Sequence, residues 1–399
     1  MTSRRGFLGG GLVALAAGLA TRRARAAEEQ FLLVYWIKGG WDQTYAFDPH
    51  FDSDFVDRDP ASAPAEVSGI PFADAEDRPA VKAFFTEWGS RTAVLNGIAA
   101  GSISHDVGTR LMLSGKADLS TADLPTRLAA ACGSSLAVPH AVVAGPSLPG
   151  ELGGVVTRFD ETLLAAARGE RPLPRDEARD VRIRAFLDAE AAAASDPAHA
   201  EWALAAARLP TLRSFAQEYR GGVASEADRV HLVAALFGAG LSRTAILSGA
   251  MPQMAQWDSH VQNRDWQTRC YDLCFSNLAG LCSTLSNTPG PGGGSLLDRT
   301  RILVLSEMGR QPTENAQGGK DHWPTTSAML IGAGVAGGRV YGGTDATLAA
   351  RGMDRATGEP DDAAARFGPD DLAATIALGF DVDPGELAPG GAPLTAIWA

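Results

Sequence analysis

Short, uninterrupted apolar runs alternate along the chain with longer stretches of helical composition. Phe31-Leu32-Leu33-Val34-Tyr35-Trp36-Ile37 carries no charged residue, the pattern of a strand buried on both faces of a parallel sheet. Similar runs recur at Thr92–Asn96, Ala141–Ala144, Thr244–Ser248, Arg301–Ser306 and Ala328–Ile331. Between them, Ala80–Trp88, Ala122–Ala131, Asp176–Ala194 and Ser225–Ala239 read as helices. Strands that alternate with helices predict an α/β fold, a mostly parallel sheet flanked by helices. The Ala-rich region from Asp160 to about Gly240 has few strand signals, which predicts a helical insertion over about 160–240. Pro289–Gly294 reads as a loop and Gly390 onward as a loose tail.

The N-terminus departs from this pattern. A twin-arginine pair, Arg4-Arg5, precedes an apolar stretch from Phe7 to Ala20, and Ala24-Arg25-Ala26 supplies a small-x-small cleavage pattern. The apolar stretch falls short of the roughly 20 residues that a membrane span needs. The segment resembles a bacterial Tat signal, which implies recognition by the Tat export machinery and a periplasmic destination. The expected division is a signal peptide over 1–26 and one α/β domain over 27–399. Across 399 residues, 35 basic against 47 acidic side chains give a net charge of -12. Removing 1–26 takes away five arginines and leaves 30 against 47, a charge of −17 that argues against nucleic-acid binding. No later segment is apolar enough to span a bilayer, so no stable membrane span is expected in the mature form. Four cysteines in so long a chain exclude a disulfide-dense scaffold. They are expected to be buried, with at most one disulfide.

In open parallel sheets, ligands bind beyond the carboxyl ends of the strands. Polar residues cluster there in this chain: Gly39-Gly40-Trp41-Asp42, Ser104-His105-Asp106, Trp257-Asp258-Ser259-His260, Ser306-Glu307-Met308-Gly309-Arg310 and Gly319-Lys320-Asp321-His322-Trp323. Carboxylates and imidazoles converging from separate strand ends form a ligand set for a divalent metal of the Zn, Mn, Fe or Ca kind. The candidate metal residues are Asp42, His105, Asp258, His260, Glu307 and His322. Arg310 is either a bidentate clamp for an anionic substrate or the partner of a neighbouring Asp. Lys320 either neutralises an anion or is a solvated loop lysine. Asp321 either supports His322 or is a turn residue. Trp41, Trp257 and Trp323 either wall a pocket or pack beneath the loops.

The ordered set of motifs resembles the alkaline phosphatase superfamily and, more closely, its exported sulfatase-like branch, the domain-of-unknown-function family 1501. The resemblance rests on Gly-Gly-x-Asp42, Ser104-His105, Trp257-Asp-Ser-His260, Ser306-Glu-Met-Gly-Arg310 and Gly319-Lys-Asp-His-Trp323. It implies two neighbouring metals, one on Asp258, His260 and His322 and the other on Asp42 and Glu307. It also implies an anionic small-molecule or polymer ester as substrate. The chain departs from the superfamily at two positions. Glu307-Met308 stands where Asp-His is usual, and His105 stands where the sulfatase nucleophile is expected. His105 is then either a replacement ligand or an attacking group, with Ser104 and Thr109 as hydroxyl alternatives. The implied function is an exported metal-dependent hydrolase of phosphate or sulfate esters. The rival is a non-catalytic periplasmic metal- or anion-binding protein on the same fold.

Overall fold

A computed structural model describes residues 30–170 and 197–399, with three isolated positions (182, 185 and 189) between them. The predicted signal segment and most of the predicted helix over 176–194 lie outside the described residues. The chain runs through β1 (Phe31–Ile37), β2 (Ala63–Val67), β3 (Ile70–Asp74), α1 (Pro79–Trp88), β4 (Thr92–Ala99), α2 (His105–Ser114), α3 (Leu124–Gly133), β5 (His140–Val142) and β6 (Val156–Arg158). Three helices follow: α4 (Glu161–Arg168), α5 (Pro197–Glu218) and α6 (Glu226–Gly238). The second half comprises β7 (Thr244–Ser248), α7 (Asn263–Asn287), β8 (Thr300–Ser306), β9 (Gly309–Arg310), β10 (His322–Trp323), β11 (Thr325–Gly332), β12 (Arg339–Gly342), α8 (Pro369–Gly379) and α9 (Pro384–Leu387).

Eight strands form one sheet in the order β12-β4-β11-β8-β1-β7-β5-β6. The central strands β1, β8 and β11 are buried at every position, as their unbroken apolar runs require. β1 pairs parallel with both β7 and β8, while β11 pairs antiparallel with β4 and β8. Every strand but β11 therefore points the same way. The two faces carry separate cores. Phe31, Leu33, Tyr35 and Ile37 pack with α1, α6 and α7 on one side, and Leu32, Val34 and Trp36 pack with α2, α3 and α8 on the other. This is the α/β architecture that the alternation predicts.

The reversed strand brings a further residue to the site. Residues that follow β1, β4, β7 and β8 lie at the carboxyl edge of the sheet. His322 precedes β11, and it reaches that same edge because β11 runs backwards. α2 begins at His105, where the sequence reading placed only a loop, and it ends at Gly115 in the left-handed region that glycine favours. The four cysteines are free thiols, with Cys270, Cys274 and Cys282 buried. Among the described residues no helix is long and apolar enough to cross a membrane.

Candidate metal centre

Three segments, those after β4, after β7 and before β11, deliver His105, Asp258, His260 and His322 to one place. His105 Nε2 lies 3.3 Å from Asp258 Oδ2, and His322 Nε2 and His260 Nε2 lie 3.0 and 3.2 Å from Asp258 Oδ1. The two imidazoles also face each other, with 3.0 Å between His260 Nε2 and His322 Nε2. The ring of His322 sits between the others, its centroid 4.5 Å from that of His105 and 4.6 Å from that of His260. The donor atoms of His105, Asp258 and His322 all fall within 4.8 Å of one another, close enough to share one ion.

The opposite nitrogen of each ring is held by an oxygen. His105 Nδ1 lies 2.8 Å from Glu307 Oε1, His260 Nδ1 lies 2.7 Å from Asp321 Oδ1, and His322 Nδ1 lies 2.6 Å from the Ile103 carbonyl. A carbonyl or ionised carboxylate can only accept, so each neutral ring carries its proton on Nδ1 and presents a lone pair at Nε2. Three lone pairs and a carboxylate then converge with no proton between them. Metal-ligating histidines are oriented in this way by an acceptor behind the ring.

Burial raises the Asp258 carboxyl, but its contacts with the His322 ring and the Arg310 guanidinium outweigh it and hold the group below the usual carboxylate range. The hydrogen bond to Glu307 raises the His105 imidazole. Glu307 is fully buried and accepts from the Gly39 amide at 2.8 Å and from the Ser306 hydroxyl at 3.1 Å. It therefore stands behind His105 and not beside it in the donor set.

Asp42 does not join the cluster. Its Oδ2 is 2.9 Å from the ammonium of Lys320 and accepts from Asn263 Nδ2 at 2.9 Å, and its Oδ1 accepts from the amide and hydroxyl of Thr44. Asn263, Gln267 and Tyr271 occupy one face of α7 at i, i+4 and i+8. They bond, respectively, the Asp42 carboxylate, its amide and its carbonyl. Lys320 is a fully buried counter-ion and not a solvated lysine. Arg310 is also fully buried, and burial lowers its pKa. Its Nε donates to Gly40 O, Nη1 to Lys320 O, and Nη2 to Gly39 O and Asp258 Oδ1. Of the two roles read from the sequence, the arginine holds the partner Asp, with each of its three nitrogens engaged by the protein.

Other assignments shift as well. Asp321 supports His260, while a main-chain carbonyl supports His322, a partner that no side-chain pattern could signal. Ser104 is exposed ahead of α2 and Thr109 is half-buried one turn in; neither hydroxyl bonds the cluster. Met308 is buried against Gly40 and Gly108. Trp41 and Trp257 pack beneath the loops around Tyr271, whereas Trp323 is half-buried and donates to Leu348 O. Asn263 and Gln267 escaped the sequence reading, although their i, i+4 spacing on a polar helix face was a usable signal.

A family model described as "Protein of unknown function (DUF1501)" matches residues 162–392, more than half of the chain. No curated protein matches it in sequence. Among solved structures, that of BT4656 in complex with its substrate D-glucosamine-2-N,6-O-disulfate is similar at 10% identity and a TM-score of 0.36, over 93% of this chain and 82% of that one.

Proposed function

The chain belongs to the DUF1501 family, and from that premise we propose that it is an exported metal-dependent hydrolase of phosphate or sulfate esters, akin to the alkaline phosphatase superfamily. The observation that carries this reading is the orientation of the three imidazoles, each fixed by an oxygen at Nδ1 and turned with Nε2 toward Asp258. Nitrogen and carboxylate donors of this kind suit Zn, Mn or Fe more than Ca, which prefers oxygen. His105, Asp258 and His322 would hold the ion, and His260, its side chain 45% exposed, lies beside them against Asp258. When bound, such an ion polarises an ester oxygen and lowers the pKa of a coordinated water to about 7. The protein's own part is to fix the donors. Glu307 and Asp321 retain the Nδ1 protons of His105 and His260, and Arg310 holds Asp258 Oδ1. With Nδ1 held by Glu307 and Nε2 turned toward Asp258, His105 is assigned the role of ligand and not of attacking group.

The test is elemental analysis of purified protein, together with an ester screen. About one divalent ion per chain is expected, lost in His322→Ala and in Asp258→Ala, and turnover should fall with it. Full occupancy in both variants would remove the site. Among the described residues no hydroxyl bonds the cluster, which favours a second reading, a non-catalytic metal-binding protein. A loaded protein with no turnover across phosphate and sulfate esters would decide for it.

A further inference from the structure

The charges of the cluster bear on what can approach it. Asp258, Glu307 and Asp321 bring three negative charges into the hydrogen-bonded network, and Arg310 brings one positive charge. Asp42 and Lys320 neutralise each other. With neutral imidazoles the network sums to −2, which one divalent cation brings to zero. Both cations of the network are fully buried, Arg310 with every side-chain nitrogen hydrogen-bonded by the protein and Lys320 paired with the Asp42 carboxylate. Neither side chain reaches solvent, and the chain as a whole is acidic at -12. The site is therefore poorly suited to multiply charged esters.

Exposed hydrophobic side chains stand on the loops beside it. Of eight large hydrophobic side chains exposed among the described residues, four lie on the loops that carry His105, Asp258 and His260: Ile103 at 58%, Met251 at 51%, Met254 at 90% and Val261 at 39%. Ile103 adjoins the His105 end of the imidazole row, two residues before it, and its carbonyl holds His322. Val261 follows His260 directly at the other end. Scattered exposed hydrophobics need no explanation, but Ile103 and Val261 adjoin the two ends of one imidazole row and mark a contact surface there.

We propose that the substrate is an amphiphile, an ester with at most one negative charge whose apolar substituent lies on Ile103 and Val261. Alkyl sulfates and phosphate diesters share this chemistry. The inference rests on the metal-site reading above and narrows its substrate. Its test is calorimetric binding to the metal-loaded full protein, with metal content measured on each sample. The probes are octyl methylphosphonate and methyl methylphosphonate, singly charged esters of one head group that differ in their apolar chain. The octyl ester should bind at least ten-fold tighter, and Ile103→Ser with Val261→Ser should bring that ratio near one while metal content stays unchanged. Equal binding of the two esters, a ratio that survives both substitutions, or tighter binding of the methylphosphonate dianion at pH 9 would overturn the proposal. Loss of metal from the parent protein would instead overturn the site on which it stands.

Discussion

Glu307 does more to shape the candidate site than its place outside the donor cluster suggests. It is fully buried, and one oxygen accepts from both the Gly39 amide and His105 Nδ1, so it sets the main chain after β1 and the ring of His105 together. Glu307→Gln keeps the volume but brings an amide that can turn a donor toward His105. Metal affinity should fall by about 10–100-fold, the range seen when a partner behind a ligand is removed, with little change in the melting temperature of the metal-free protein. An unchanged affinity, read by competition with a chelator, would show that His105 is not a ligand. The cysteines allow an independent check on the cores. Burial pushes Cys270 and Cys282 up to about 12, so both remain protonated at pH 8. A thiol reagent at that pH should leave Cys270, Cys274 and Cys282 unmodified in the native protein and find four thiols after denaturation. A count of two would reveal a disulfide.

Among the elements, the loops after β1 and before β10 are held so closely that only glycine fits at their contacts. A Cβ on Gly39 would meet the Asp258 amide nitrogen at 2.8 Å, and its φ of +125° is one that side chains avoid. A Cβ on Gly319 would meet the His260 carbonyl at 1.9 Å. Gly39→Ala and Gly319→Ala should each destabilise the protein by at least about 1 kcal/mol and separate Asp258 and His260 from their neighbours, lowering metal content as well as the denaturation midpoint. A variant that kept both would show that the loops yield. The strands were legible because burial on both faces writes an unbroken apolar run, as in β1 and β8. Hydrophobic content gave no such signal for the β2–β3 hairpin, whose first strand reads Ala-Pro-Ala-Glu-Val and is largely exposed, or for the two-residue β9–β10 ladder. The donor loops were found through strand ends, but the pairing inside them was not. Asp42 and Glu307 carry the same chemistry in sequence as Asp258, and only the ammonium of Lys320 and the ring of His105 assign them other work.

At the scale of the whole molecule, the cluster draws on residues as far apart as His105 and His322, with the sheet and the reversed β11 between them. No segment of the unfolded chain contains this arrangement, so binding of the proposed ion would be coupled to folding. Bound ion then stabilises the folded state in proportion to its concentration relative to its dissociation constant. This coupling bears on export. A chain that crosses unfolded must gather its ion afterwards, whereas a chain that crosses folded carries its ion with it. On the proposed reading of an exported protein, Arg4-Arg5 would be the address for the second route. Replacing both arginines with lysine should hold the full-length precursor in the cytoplasm, and that retained precursor should be folded and metal-loaded, with the same ion as the exported form. Cell fractionation followed by elemental analysis of the precursor reads both points. Undiminished arrival of mature protein in the periplasm would show that another route carries it. A retained but metal-free precursor would show that the ion joins after export.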